Sequence, residues 1–365
     1  MHTRVMTLFA ACGVATAIAA GWLAPVGAEQ PSQRSGQRYT QPKTAWGDPD
    51  LQGIWGGRNL TVTPLERPKQ YAGREFLTDE EVAAKQKEQN DLQAQKDALV
   101  QRGEGQELGL RGRPSGKDDT IAGFEYNTFW VDTGAPASVF RRTSLITGPD
   151  GRIPYKPEVR KRIEYTAAVV SSQPPDDFVN RSWRDRDMGE RCITDGALAM
   201  FWSGTGPTQI LQGPGYVVIR GEQFRDRLII PTDGRAHGAV RSLLGEPIGH
   251  WEGNTLVVET KNFSDLTENW PRDRFAQEFR TPSSTMHLLE RFTRAAEDLI
   301  EYEVTVTDPS KFTRPFTIEF PLMKSPTQQV FLEYACQEGN YGMLHLLSEA
   351  LNLEKRKAAR GGQAR

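Results

Sequence analysis

The chain has 365 residues, a formal net charge of −2, 37% hydrophobic residues and a mean hydropathy of −0.57. That length suits one large or two modest domains, and the balanced charge carries no electrostatic footprint for nucleic acid or anionic lipid. Such low hydropathy implies much loop or thin-cored sheet.

Residues 1–28 read as a signal peptide. A short basic start at Arg4 precedes an Ala-rich apolar stretch, and the small residues Val26 and Ala28 mark cleavage after Ala28. The mature chain is therefore expected in the periplasm or outside the cell. An uncleaved anchor is the alternative; no later segment is long and apolar enough to cross a membrane. Residues 29–44 form a polar leader rich in Gln and Ser.

Residues 45–118 hold an N-terminal strand, a surface helix and a Gly-rich loop. "WGDPDLQGIWGG" places a turn at Asp48-Pro49 and a short strand through Gly53, Ile54 and Trp55. A Gly two residues before a Trp also occurs on the first strand of lipocalin-type barrels, where the Trp plugs the closed end. Thr78 and Glu81 then form a capping box for a helix that meets no Gly or Pro before Gly103.

Residues 119–345 form the body. Short segments bounded by turn signals follow one another closely from Phe124: "FEYNTFWVD", "RRTSLIT", "TQILQGPGYVVIRGE", "RDRLIIPT", "GHWEGNTLVVETKNF", "TMHLLERFTRAAEDLIEYEVTVTDP", "FTRPFTIEFPLM" and "QQVFLEYACQEGN". Such spacing predicts a mainly β fold, an antiparallel lipocalin-like barrel or curled sheet with peripheral helices. "KPEVRKRIEYTAAVV" is one of those helices. The tail "YGMLHLLSEALNLEKRKAAR" is another, amphipathic, with residues 346–365 set apart as C-terminal helix and tail.

Gly253-Asn254 is a two-residue hairpin turn. Ladder pairing sets Glu252 opposite Thr255, Trp251 opposite Leu256 and His250 opposite Val257. One face then carries His250, Glu252, Thr255, Val257 and Glu259, and the other Trp251, Leu256, Val258 and Thr260. The polar face meets either solvent or the interior of a barrel.

Cys192 and Cys336 remain after the leader. In an oxidising compartment an even, distant pair favours a disulfide over two free thiols or a reactive cysteine. Phosphate loops, dinucleotide fingerprints and a Gly-x-Ser-x-Gly elbow are absent, and His237, His250, His287 and His345 lack close ligand spacing. Neither a cofactor nor a metal is expected.

The segments "WGDPDLQGIW", "TPLERP", "YNTFWVD", "RTSLI", "PDGRIP", "IIPTDGRAH", "GHWEGNTLVVET", "ERFTR" and "EYACQEGNYGM" resemble, in this order, a large family of secreted β-rich proteins of environmental bacteria. The resemblance spans nearly the whole mature chain. It implies that the TDGRAH, GHWEGN and CQEGN segments form one unit of the fold, and it implies no activity. Gln337 departs from it, standing where a histidine is common, and "LGEPIG" replaces a more charged loop.

The favoured functional reading is a secreted, cofactor-independent acid–base enzyme: a lyase, hydratase or dehydratase, isomerase or cyclase acting on a small aromatic or terpenoid-like molecule in a barrel cavity. His237 would be the base, oriented by Asp233, with Arg235 holding a carbonyl or anionic oxygen. His250 and Glu252 would supply the acid. Trp55, Tyr126, Trp130, Trp202 and Trp251 would wall the cavity, with Glu259, Glu338 and Tyr341 as further substrate contacts. The alternative is a periplasmic binding or carrier protein for an apolar small molecule, without chemistry.

Overall fold

The computed structural model describes residues 39–56, 63–101, 139–172, 188–189, 191–194, 196–198, 207–264, 266, 279, 281–324, 333–338 and 340–362. The expected signal peptide and the wall residues Tyr126, Trp130 and Trp202 lie outside them.

The protein is mainly antiparallel β, a nearly closed nine-strand barrel. Its strands are β1 (Gly53–Gly56), β2 (Thr208–Gly213), β3 (Tyr216–Gly221), β4 (Arg227–Pro231), β5 (Glu246–Glu252), β6 (Thr255–Lys261), β7 (His287–Ala296), β8 (Leu299–Thr307) and β9 (Phe316–Lys324). They run in the order β4-β3-β2-β1-β9-β8-β7-β6-β5. Two antiparallel runs of sequence neighbours, β2 to β4 and β5 to β9, are joined through β1, which pairs with both β2 and β9. Where β1 ends, residues 145–147 take its place beside β9. Ile146 bridges Ile318, the Thr147 N–H donates to Thr317 O at 3.0 Å, and the Glu319 N–H donates to Leu145 O at 3.0 Å. The "RRTSLIT" segment is thus a short bridge rather than a full strand.

Alternation decides the interior. Paired positions from neighbouring strands share a face, so Leu256, Val258, Leu288, Phe292, Tyr302, Val304, Ile318 and Phe320 all point inward and are buried. Phe292, Tyr302 and Phe320 pack as tilted rings with centroids 4.8 Å apart in each successive pair. Trp55, expected to line a ligand cavity, is instead a packed core residue. It is 1% exposed, its Nε1 donates to Leu51 O at 2.9 Å, and the Arg294 guanidinium lies 5.5 Å from its ring centroid. The hairpin has the expected register, with Gly253 at φ +61°, the first turn position where a positive φ favours glycine.

β4 and β5 are the two edges, and they meet without a ladder. A Cβ on Gly249 would sit 2.8 Å from Ile230 Cγ2 and 3.3 Å from Thr232 Cγ2. Glycine therefore lets the seam close to van der Waals contact.

Helices lie around the barrel: α1 (Asp79–Gln101), α2 (Pro157–Ser172) and α3 (Tyr341–Gly362). The capping box of α1 is formed, with the Thr78 N–H donating to Glu81 Oε2 and the Glu81 N–H to Thr78 Oγ1. Among the described residues no helix is long and apolar enough to cross a membrane. Cys192 and Cys336 are disulfide-bonded, joining segments 144 residues apart. The disulfide fits an oxidising compartment.

Two outcomes test this architecture. Gly249→Ala should lower the urea-unfolding free energy by about 1–3 kcal/mol through overpacking at the seam, and an unchanged midpoint contradicts the seam. Reduction should raise the intact mass by two hydrogens and lower thermal stability, since releasing so long a loop costs up to ~5 kcal/mol in the chain-entropy model. An unchanged mass contradicts the bridge.

Candidate functional site

The polar face of the β5–β6 hairpin points outward. Leu256 and Val258 occupy the inner face with no exposed surface, so His250, Glu252 and Glu259 cannot line the interior. The expected convergence of His237 and His250 inside the barrel is therefore corrected, and both rings stand on its outer wall.

The ladder extends this outer face in both directions. Glu246 pairs with Lys261, Ile248 with Glu259, and Glu259 with Leu289. His287 opens β7 two residues before Leu289, so it shares the outer face. The loop leaving β4 then folds back over these strands. Its backbone bridges Ser242 to Phe263, and the Arg241 guanidinium donates to Phe263 O and Ser284 O. The Gly238 N–H donates to both Glu246 oxygens at 3.0 and 2.9 Å. Asn262, at φ +57°, donates its side-chain amide to Gly238 O and Glu246 Oε2. Asparagine tolerates that left-handed conformation better than most residues.

These bonds carry His237 onto the sheet. Its Nε2 lies 3.1 Å from Glu259 Oε2, and its Nδ1 lies 3.4 Å from Glu246 Oε2 without a hydrogen bond. The first contact makes Nε2 the protonated nitrogen of a neutral ring, because a carboxylate can only accept. A proton added at Nδ1 would then face a second carboxylate. Glu259 also receives the Lys261 ammonium at 2.7 Å, and His287 Nε2 lies 2.9 Å from its Oε1 without hydrogen-bond alignment. One carboxylate thus gathers two imidazoles and an ammonium. The His237 side chain is 17% exposed and that of His287 33%, so His287 is the one that meets solvent more.

The charges agree with the contacts. Burial pushes the Glu259 carboxyl up, but the Lys261 ammonium and the His237 bond outweigh it, and the net shift is downward. Glu246 is also held below the ordinary carboxylate range, first by the Gly238 N–H and then by Asn262.

Asp233 does not orient His237. It forms a hydrogen-bonded pair with Arg235, whose guanidinium holds the Asp233 carboxyl down at about 2. The two residues are separated by one Gly, and this local turn pairing wins over the longer reach to the imidazole. His250 and Glu252 form a separate, exposed cluster with Arg291: His250 Nε2 is 3.2 Å from Glu252 Oε1, and Arg291 donates to Glu252 Oε2 at 2.8 Å. His250 lies two strand positions from the Ile248–Glu259 pair, about 7 Å along the sheet. Trp251 turns inward against the core and away from His237. Glu338 and Tyr341 are exposed beside the Cys192–Cys336 bridge, where Gln337 donates to Cys192 O at 3.2 Å. The TDGRAH and GHWEGN segments are therefore brought together, while CQEGN is fastened to the Cys192 segment.

Sequence reasoning missed Glu246, Lys261, Asn262 and His287. Extending the hairpin ladder by four pairs beyond His250–Val257 would have placed Glu246 opposite Lys261. No local signal reaches His287, which follows a long connection from β6. Among the described residues, no group of three or more His, Cys, Asp or Glu is arranged to hold a metal ion. No family model, curated protein or solved structure matches the chain.

Glu246→Ala should free the loop of residues 232–245, read as faster hydrogen exchange and proteolysis there and not in β7–β9. Acid should act likewise. Glu246 and Glu259 have lowered folded pKa values, so their contribution is complete above the ordinary Glu value of ~4.3 and is lost as pH falls through the folded values. A loop equally protected at pH ~3 and ~6 contradicts this anchoring.

Proposed function

We propose that the chain is a secreted, cofactor-independent acid–base enzyme of the lyase or isomerase type, with its site on the outer barrel wall around Glu259. The observation that carries this reading is the single carboxylate contacted by His237, His287 and Lys261. Such a carboxylate can fix the His237 ring that it hydrogen-bonds and balance the charge that either imidazole gains on accepting a proton.

His287 and Lys261 are the more exposed members, so they face the substrate: His287 exchanges the proton and Lys261 holds a carbonyl or carboxylate oxygen. Glu259 holds Lys261 by a direct ion pair and lies close enough to His287 to balance its charge. His237 and Glu246 form the covered side of the relay. The described wall tryptophans, Trp55 and Trp251, face inward, so the substrate is better described by its oxygen group than by aromatic character. The packed interior of the described strands gives the carrier reading less support. The signal-peptide pattern and the disulfide support export, which N-terminal sequencing of the secreted protein would check.

The test is incubation of the mature protein with a panel of phenolic, terpenoid and sugar-derived carbonyl compounds, read by mass spectrometry. A product differing by zero or one water is expected, as is deuterium uptake from heavy water. Glu259→Gln, His237→Ala and His287→Ala should each lower turnover by about 10²-fold or more, while His250→Ala retains it. Full turnover in His237→Ala and His287→Ala overturns the assignment.

A further inference from the structure

A second titratable group lies inside the barrel, apart from the outer-wall site. Alternation along β7 sets Glu290 between Leu288 and Phe292 on the inner face, and it is 2% exposed. The Tyr302 hydroxyl donates to its Oε1 at 2.7 Å, and the Thr260 hydroxyl stands 3.4 Å from its Oε2. Its cross-strand neighbours are Val258 on β6 and Val304 on β8, both buried.

Among the described residues no cation reaches this carboxyl. The charged group on the same face of β7 is Arg294, four residues along. That guanidinium is already taken up by the carbonyls of Asp50, Ala296 and Glu297 and by the Trp55 ring. From β9 and β1 the inner face offers Ile318, Phe320 and Trp55, none of them ionisable in this range. Glu290 is therefore a carboxyl with hydroxyl partners and an apolar surround. Burial pushes it up to about 7 against the pull of the Tyr302 and Thr260 bonds, and the same burial raises Tyr302 well above its ordinary value.

We propose that Glu290, Tyr302 and Thr260 form a proton-operated latch in the barrel wall, closed while Glu290 is protonated and opened when it loses the proton. The protonated acid completes an uncharged network: Tyr302 donates to one oxygen, and the acid O–H faces the Thr260 hydroxyl, which can accept. Deprotonation leaves a carboxylate among Val258, Val304 and Phe292 with no counter-ion, and burying such a charge is strongly unfavourable. The wall of β6, β7 and β8 then opens to water. Because the folded pKa is raised, the latch contributes fully below the ordinary Glu value and is lost as pH rises through about 7. The loosening is on the alkaline side, opposite in direction to the acid release of the outer loop.

The experiment is hydrogen exchange of the β6–β8 amides in the mature protein from pH ~5.5 to ~8.5, corrected for intrinsic rates. Wild type should lose about tenfold or more of its protection over this range, nearly all of it below about 7, because the closed state keeps its proton there while the opened one has lost it, and the loss levels off once both are deprotonated. Glu290→Gln keeps the shape without the charge and should show a flat profile. Infrared titration of the wild type supplies a readout that needs no variant: a protonated-carboxyl band present at pH ~6 should vanish by pH ~8.5. Tyr302→Phe should shift that band by removing its donor. A wild type with pH-independent protection, the same pH response in Glu290→Gln, or no protonated-carboxyl band at pH ~6 overturns the proposal.

Discussion

Leu256 and Val258 have no exposed surface, and that burial fixes the orientation of everything built on the β5–β6 hairpin. Successive strand side chains take opposite faces, so once these two enter the core, His250, Glu252, Glu259 and Lys261 must leave it. Two buried aliphatic side chains of this size gain roughly 1.5–3 kcal/mol each from leaving water. A hairpin flipped to put its carboxylates inside would forfeit that gain and bury uncompensated charge. The outward site is thus a consequence of the core.

A site on an outer wall needs a cover, and the loop after β4 provides it. The loop is held mainly by directed polar bonds. Glu246 accepts from the Gly238 N–H and from Asn262, and Asn262 holds an uncommon backbone conformation while donating to both. Such bonds depend on the carboxylate staying ionised, whereas the barrel interior depends on Glu290 staying neutral. The two carboxyls sit on opposite faces of one sheet, and their environments push their pKa values in opposite directions. Solvent with nearby N–H donors favours the charged form, and an apolar interior favours the neutral one.

Much of the fold was legible because it is written locally. The hairpin register followed from Gly253-Asn254 and alternation, and the α1 start followed from Thr78 and Glu81. The choice of which face turns inward was not local. It depends on strands β7 to β9, whose inner residues complete the packing around Leu256 and Val258. For the same reason Trp55 read as a ligand wall until its partners Leu51 and Arg294 were in place. Asp233 failed as the partner of His237 because Arg235, two residues away, satisfies it first. Glu290 was readable in principle, since "LLERF" alternates Leu288, Glu290 and Phe292 on one face. Its meaning required knowing that this face is the interior. His287 depends on a tertiary fold-back that no spacing rule encodes.

The central claim is that Glu259 is one carboxylate serving two imidazoles. Nitrogen-15 NMR of the histidine rings in the wild type and in Glu259→Gln tests it most directly. The account predicts a His237 ring protonated at Nε2 in its neutral form, with His237 and His287 signals both displaced in the variant while His250 stays in place. A neutral His237 protonated at Nδ1, together with a His287 signal indifferent to Glu259→Gln, would contradict it.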